Sequence, residues 1–237
     1  MPGTIALVGA GEFLEGMAEV DSHLISQVPD RPARVAIVPT AAGLEDPRAW
    51  TDMGVPHFQR LGAQAEPVFV RDNKDANDPS MAEAIRNSNF VYLSGGSPGH
   101  LLQSLQATQV WSAIQDVLGK GGVLAGCSAG AMVLGGQTRV MRSANRTGPP
   151  ANQDWVLAPG LSLIPNVVVA PHFNRMTEER LEYLLAQVPE YLFILGVDEH
   201  TAAVGDGSQW TVMGRGSVYL FDHKTSTRFQ PGQQFSL

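Results

Sequence analysis

The stretch from Gly121 to Met132 constrains this chain more than any other. An apolar run, Val123 to Ala125, reads as a buried strand. Gly126-Cys127-Ser128-Ala129-Gly130 follows, and then small residues suited to a helix. A strand that turns into a helix within so few residues has no space for a side chain two positions before or two positions after the turn. There the neighbouring strand and the new helix come close. The turn lifts the Ser128 hydroxyl out of the sheet. It also sets the N–H of Ala129 at a helix N-terminus, where donors are unpaired and the dipole favours an anion. The same spacing occurs in glycine-rich turns without chemistry, so the rest of the chain has to supply partners for the hydroxyl.

The flanking sequence alternates strand and helix patterns. Thr4 to Val8, Val35 to Val38, Pro67 to Val70 and Phe90 to Leu93 read as buried strands. Between them, Glu15 to Val28 has helical apolar spacing. A helix starts near Asp46 with Pro47 in its first turn, and Pro56 is expected to break or restart it. Asp78 caps a helix that opens on Pro79, and Ser97 caps one that opens on Pro98. Trp111 to Leu118 is a further helix and leads to the elbow strand. This alternation argues a parallel sheet with helices on both faces. Thr138 to Pro159 is polar and rich in Gly and Pro, and reads as a long functional loop. Val167 to Ala170 and Leu192 to Val197 are later strands, separated by a helix that Thr177 caps and that runs to Gln187. Short runs around Ala202, Trp210 to Met213, and Val218 to Phe221 read as antiparallel hairpins on the sheet edge. With 237 residues, no repeat and no linker, the expectation is one domain over 1–237. Its expected fold is a three-layer α/β/α arrangement around a mainly parallel central sheet.

Composition narrows the function classes. The net charge is −7 and no Lys/Arg cluster stands out, which argues against a nucleic-acid partner. The single cysteine, Cys127, allows no internal disulfide, and no Cys/His spacing suggests a zinc site. No metal or cofactor is implied. The N-terminus has no basic region ahead of an apolar run, and no run reaches membrane-spanning length. The expected setting is cytoplasmic, away from the membrane.

In open parallel sheets, ligands bind beyond the carboxyl ends of the strands. Gly95-Gly96, Ser128, Pro171-His172-Phe173 and Asp198-Glu199 each follow an expected strand. A serine nucleophile needs a base to take its proton and an acid to orient that base. His172 is the candidate base and Glu199 the candidate acid. The N–H groups of Gly96 and Ala129 are the candidate oxyanion donors. His200 is a rival base but sits beside the acid. Asp154 is a rival acid, and alternation points Asp198 away if Glu199 faces the site. Cys127 precedes the elbow residue and reads as a small core residue. His23, His57 and His223 read as surface. Arg175, three residues past His172, is the candidate for binding an acidic group on the substrate, with Ser97 and Asn174 as further substrate contacts. Arg180 is expected to face solvent.

These motifs together resemble peptidase family S51, the family of aspartyl dipeptidase and cyanophycinase. Gly126-Cys127-Ser128-Ala129-Gly130-Ala131 is similar to its G-x-S-A-G-A signature. Tyr92 to Gly96 resembles its strand with Gly-Gly, and Ala170-Pro171-His172-Phe173 its histidine segment. Gly196 to Ala202 resembles the cyanophycinase G-[IV]-D-E-x-T-A segment, and Val212 to Tyr219 its C-terminal hairpin. The resemblance implies a fold like class I glutamine amidotransferases (flavodoxin-like), with Ser in place of their Cys. It also implies a Ser128, His172, Glu199 triad, as in the cyanophycinase branch. The dipeptidase branch uses an Asp after the serine, which keeps Asp154 open. The implied function is a serine peptidase acting on short peptides or isopeptide bonds, of aspartyl or β-aspartyl-arginine type, through an acyl-enzyme. The implied partner is a small peptide substrate, and a homodimer is left open. Ser97-Pro98 stands where cyanophycinase has Asp-Gln, and Arg175 and Arg180 align with the family arginines only across a gap. Two other readings stay on the table. An esterase shares the elbow but runs Ser, acid, His in chain order. A non-catalytic amidotransferase-like module fits the altered Gly-Gly-Ser-Pro loop.

Overall fold

The computed structural model describes residues 3–142, 154–222 and 224–237. The first half of the chain runs β1 (Thr4–Val8), α1 (Ala18–Gln27), β2 (Arg34–Val38), α2 (Pro47–Arg60), β3 (Gln64–Pro67), α3 (Asn73–Ala76), α4 (Pro79–Arg86), β4 (Phe90–Leu93), α5 (Pro98–Leu105), α6 (Gln109–Gly119), β5 (Val123–Cys127) and the one-turn α7 (Ala129–Met132). The second half runs β6 (Gly135–Met141), β7 (Trp155–Pro159), β8 (Ile164–Ala170), α8 (Glu178–Gln187), β9 (Phe193–Val197), β10 (Thr201–Gly205), β11 (Gln209–Gly214), β12 (Val218–Phe221), β13 (Ser226–Phe229) and β14 (Gln234–Ser236).

The strands form an eight-stranded sheet, β14-β11-β10-β1-β5-β4-β2-β3, and a six-stranded sheet, β13-β12-β9-β8-β6-β7. Five adjacent strands of the first, β1-β5-β4-β2-β3, are parallel. So are β6, β8 and β9 of the second. The expected single ladder is thus divided. The cause lies at α7, which is too short to cross back over the sheet as a full crossover helix. The chain leaves it to start a new ladder. Gly136 permits the close approach there, since a Cβ would lie 1.9 Å from the Pro165 carbonyl oxygen.

Alternation along the strands of the first sheet sorts their side chains between two cores. Ala6, Val8, Val35, Ile37, Phe90 and Tyr92 pack beneath α1 and α2. Leu7, Val38, Val91 and Leu93 face α4, α5 and α6, and share one cluster with Val167, Val169, Leu195 and Val197 of the second sheet. Val168 and Ile194 face the other way, onto Leu184 of α8. The result is a mixed α/β architecture in layers, with sheet between helices. No helix among the described residues is long and apolar enough to cross a membrane.

Several local expectations need correction. α2 runs through Pro56 without a break. The carbonyl four residues back belongs to Asp52, which is exposed, so water can take the place of the missing N–H. β3 ends at Pro67, where the apolar pattern suggested a start. It is an edge strand with exposed Gln64 and Glu66, and hydrophobicity does not mark such strands. Residues on either side of 143–153 form the β6–β7 hairpin, where a loop was expected; 143–153 themselves lie outside the described residues. The C-terminal runs are antiparallel strands toward sheet edges, as expected, but they are divided between the two sheets. β11 pairs with β10 in the first sheet, whereas β12 pairs with β9 in the second.

Candidate active site

Strand register brings the site together from both sheets. In the first sheet Leu93 lies opposite Gly126, so the loop leaving β4 flanks the elbow leaving β5. In the second, Ala170 lies opposite Gly196, so His172 and Glu199 leave neighbouring parallel strands side by side. The elbow glycines behave as the pattern requires. A Cβ on Gly126 would lie 2.4 Å from the Gly130 carbonyl oxygen, and one on Gly130 would lie 2.4 Å from that of Leu93. Ser128 takes φ 49 and ψ −110, a conformation that L-residues rarely adopt and that surrounding structure has to impose.

The Ser128 hydroxyl lies 3.0 Å from His172 Nε2, and His172 Nδ1 lies 2.9 Å from Glu199 Oε1. Asn174 Oδ1 accepts from the Glu199 N–H at 2.9 Å, and its amide nitrogen stands 3.5 Å from Glu199 Oε2. Arg175 Nε meets the same Oε2 at 2.9 Å. Glu199 is therefore held on both oxygens. The hydrogen bond from His172 keeps its carboxyl below the usual range. The Asn174 amide and the Arg175 charge act in the same direction, against partial desolvation.

The lowered value sets a sign for stability. As pH falls, the unfolded chain binds this proton first. The pair's contribution is therefore full above the ordinary carboxylate range and is lost as pH falls through the lowered folded value. The Tm advantage of wild type over Glu199→Gln should be largest near neutrality and shrink below about pH 4. A Tm difference that grows with acidity would contradict the geometry.

The other candidates sit as follows. Gly96 has φ +138, and a Cβ there would lie 2.3 Å from the Ala41 carbonyl oxygen. Among the described residues nothing accepts from the N–H of Gly96 or of Ala129. Ser97 is engaged as the cap of α5, accepting from the His100 N–H at 3.3 Å, and Asn174 is turned to Glu199. Neither lines the pocket beside Ser128. Asp198 is buried and accepts from the Ser217 N–H, facing away from the site. His200 packs on Gly11 with its Nδ1 buried and unpartnered. The backbone carbonyl of Asp154 accepts from the Arg142 N–H at 2.7 Å. His57 corrects an expectation, since it is buried and its Nε2 lies 2.8 Å from Asp21. His223 lies outside the described residues.

The pocket at Ser128 has a volume of about 420 Å³ and is bordered by His172, Arg139, Trp155, Arg175 and Arg180. No Asp or Glu lines it among the described residues. The Arg139 guanidinium lies 5.3 Å from the Trp155 ring centroid, and its Nε is buried with no hydrogen-bond partner. Burial pushes its pKa down, and the neighbouring Arg180 charge adds to this. Arg180 is exposed, as expected, and also borders the pocket. Sequence reading missed Arg139 and Trp155 because both fall in the polar stretch taken for a loop. A second cavity, about 450 Å³, lies by Gly3 and Thr4 at the opposite end of β1 and includes none of the triad.

This arrangement can be set beside known proteins. The profile of peptidase family S51 matches residues 5–213. The cyanophycinase of Trichormus variabilis is 34% identical over 195 residues, covering 80% of this chain and 63% of that protein. This chain therefore spans less than two thirds of that relative's length. Peptidase E of Nostoc sp. is 24% identical over 222 residues, covering 90% of this chain and 84% of its own. A crystal structure of a peptidase from an acI-B1 Actinobacterium superposes with a TM-score of 0.86 at 31% identity, covering 100% of this chain and 98% of that one. A putative peptidase E from Listeria monocytogenes shares the fold, with a TM-score of 0.67 at 18% identity. A family match over residues 5–213, with relatives such as that cyanophycinase at 34% identity, identifies this chain as a member of peptidase family S51, on its cyanophycinase-like branch.

Proposed function

We propose that residues 1–237 act as one catalytic unit with an amidotransferase-like core. The unit hydrolyses short peptide or isopeptide bonds whose acyl side carries a carboxylate, of aspartyl or β-aspartyl-arginine type. The Ser128–His172–Glu199 chain of hydrogen bonds, at 3.0 and 2.9 Å, carries the reading. Ser128 Oγ attacks the scissile carbonyl as His172 Nε2 takes its proton. Glu199 keeps the Nδ1 proton in place and balances the imidazolium. The tetrahedral oxygen is met by the N–H groups of Gly96 and Ala129. His172 then returns the proton to the leaving amine, and water repeats the sequence on the acyl-enzyme. No step calls on a metal or cofactor.

The pocket supports the acidic preference. Among the described residues three arginines and no carboxylate border it, and the buried Nε of Arg139 lacks an acceptor. A substrate carboxylate would supply that acceptor with charge-assisted hydrogen bonds. The deciding experiment pairs fluorophosphonate labelling of Ser128 with kcat/KM on an Asp-X dipeptide, β-aspartyl-arginine, a neutral dipeptide and a simple ester. Arg139→Met keeps the stem over Trp155 and removes the charge. It should lower kcat/KM on the acidic substrates by about 30-fold or more and spare the neutral one, as truncated buried charge pairs do. Arg175→Ala should lower both, because Arg175 is tied to Glu199. Equal losses with Arg139→Met would end the acidic assignment, and faster ester turnover with no peptide cleavage would favour an esterase.

A further inference from the structure

The catalytic sequence makes no use of Glu12, a buried carboxylate beneath the elbow. Its position follows from strand order. β1 lies beside β5 with Val8 opposite Cys127, so the loop leaving β1 passes under the turn that leaves β5. That loop is bent sharply at Glu12, with positive φ on both sides: +91 at Gly11 and +64 at Phe13. The bend turns the carboxylate inward, where each oxygen has one donor. The Gly95 N–H reaches Oε1 at 2.8 Å, and the Cys127 thiol reaches Oε2 at 2.8 Å. An ionised carboxylate only accepts, and both partners here donate. Burial and the neighbouring Glu12 charge push the Cys127 thiol well above its usual pKa, so it keeps its proton.

Gly95 stands between this carboxylate and the nucleophile. A Cβ on it would lie 2.8 Å from Glu12 Oε1 and 3.4 Å from Ser128 Cβ. Gly95 and Gly96 are consecutive glycines, and a free Gly-Gly peptide samples many orientations. An oxyanion donor acts well only when its direction is fixed beforehand.

We propose that Glu12 is a positioning residue for the oxyanion hole. Its carboxylate ties the β4 loop that supplies Gly96 to the β5 turn that supplies Ala129. By taking the Gly95 N–H, it leaves the Gly96 N–H to face the substrate. The inference rests on the acyl-transfer reading above and adds a residue that reading does not contain. Cys127 acquires a role too: its thiol is the second anchor of the carboxylate.

The test measures the rate constant for fluorophosphonate labelling of Ser128, together with Tm, in Glu12→Met, Glu12→Gln, Cys127→Ala and Cys127→Ser. Glu12→Met keeps the shape and removes the acceptor. Folded Glu12→Met should label about 100-fold more slowly, the scale of a lost oxyanion donor. Glu12→Gln keeps an oxygen for Gly95 and should recover to within about tenfold of wild type. A purely structural Glu12 would lower Tm in both while leaving the rate of folded protein unchanged, and that result overturns the proposal. Should Glu12→Met fail to fold, the cysteine pair decides. Slower labelling in Cys127→Ala that Cys127→Ser restores supports the tether, and equal rates in the two refute it. Wild type that is not labelled at Ser128 would remove the acyl-transfer reading and this proposal with it. Labelled wild type with unaffected variants would remove this proposal alone.

Discussion

Ser128→Ala should fold like the wild type and lose on the order of 10⁴–10⁶-fold in kcat, the scale seen when a triad nucleophile is removed. Alanine keeps the Cβ, so the strained φ 49 and the contacts of Gly126 and Gly130 are unchanged. Only the hydroxyl that meets His172 at 3.0 Å is gone. Ser128→Gly goes further. Glycine tolerates positive φ, and relief of that strain outweighs its greater unfolded-state entropy by about 1 kcal/mol. For a chain of this size that corresponds to a Tm increase of roughly 2–4 °C. The Gly variant should therefore be dead and more stable, and the Ala variant dead with an unchanged Tm. Turnover near wild type in either, measured on protein free of wild-type contamination, would end the serine-nucleophile reading.

Glu199→Gln should cost about 10²–10⁴-fold in kcat, as loss of the triad acid does in other serine enzymes. The surroundings predict how the new amide sits. Arg175 Nε donates to Oε2, so the glutamine oxygen turns to the arginine and its NH₂ turns to His172. An NH₂ facing Nδ1 forces the imidazole proton onto Nε2, the atom that has to accept from Ser128. The base is then blocked by tautomer as well as weakened by loss of charge. Arg175→Ala in the Gln background removes the donor that fixes the flip and should restore part of the lost rate. Asp154→Asn should change kcat only severalfold. If the two sizes come out reversed, Asp154 is the acid and the dipeptidase pattern applies.

Legibility in the sequence followed the strength of the local physical signal. Thr4–Val8 and Phe90–Leu93 match their expected spans because strands buried on both faces are continuously apolar. The helix starts at Pro79, Pro98 and Glu178 were readable because Asp78, Ser97 and Thr177 cap them with side-chain oxygens. The three residues of the candidate triad were found from their places at strand ends, and the geometry brings them within hydrogen-bonding distance. What escaped was everything decided by pairing at a distance. β6 carries Gln137, Thr138 and Arg139, so neither period nor hydrophobicity marked it as a strand. Arg139 was lost with it. Glu12 follows the carboxyl end of β1 and met the same strand-end rule that found His172. It went unnoticed because a lone acid in a glycine-rich loop has no local partner. Its partners lie 83 and 115 residues away. His57 looked like surface for the same reason, with Asp21 36 residues away in sequence.

The division of the strands into two sheets has a mechanical consequence. The nucleophile and Gly96 are carried by one ladder, and the base and acid by the other. The His172–Glu199 distance is set by the pairing of β8 with β9, and the chain past Glu199 enters β10 of the first ladder. Within the catalytic chain, the Ser128–His172 bond is the one that joins a group on one ladder to a group on the other. A shift of about 1 Å there would cost on the order of 10²-fold in rate while leaving each half intact and correctly protonated. The seam between the ladders acts as a throttle, and residues packed across it, such as Gly9, whose added Cβ would lie 2.0 Å from the Asp198 carbonyl oxygen, can change the speed of the reaction without touching any atom that reacts.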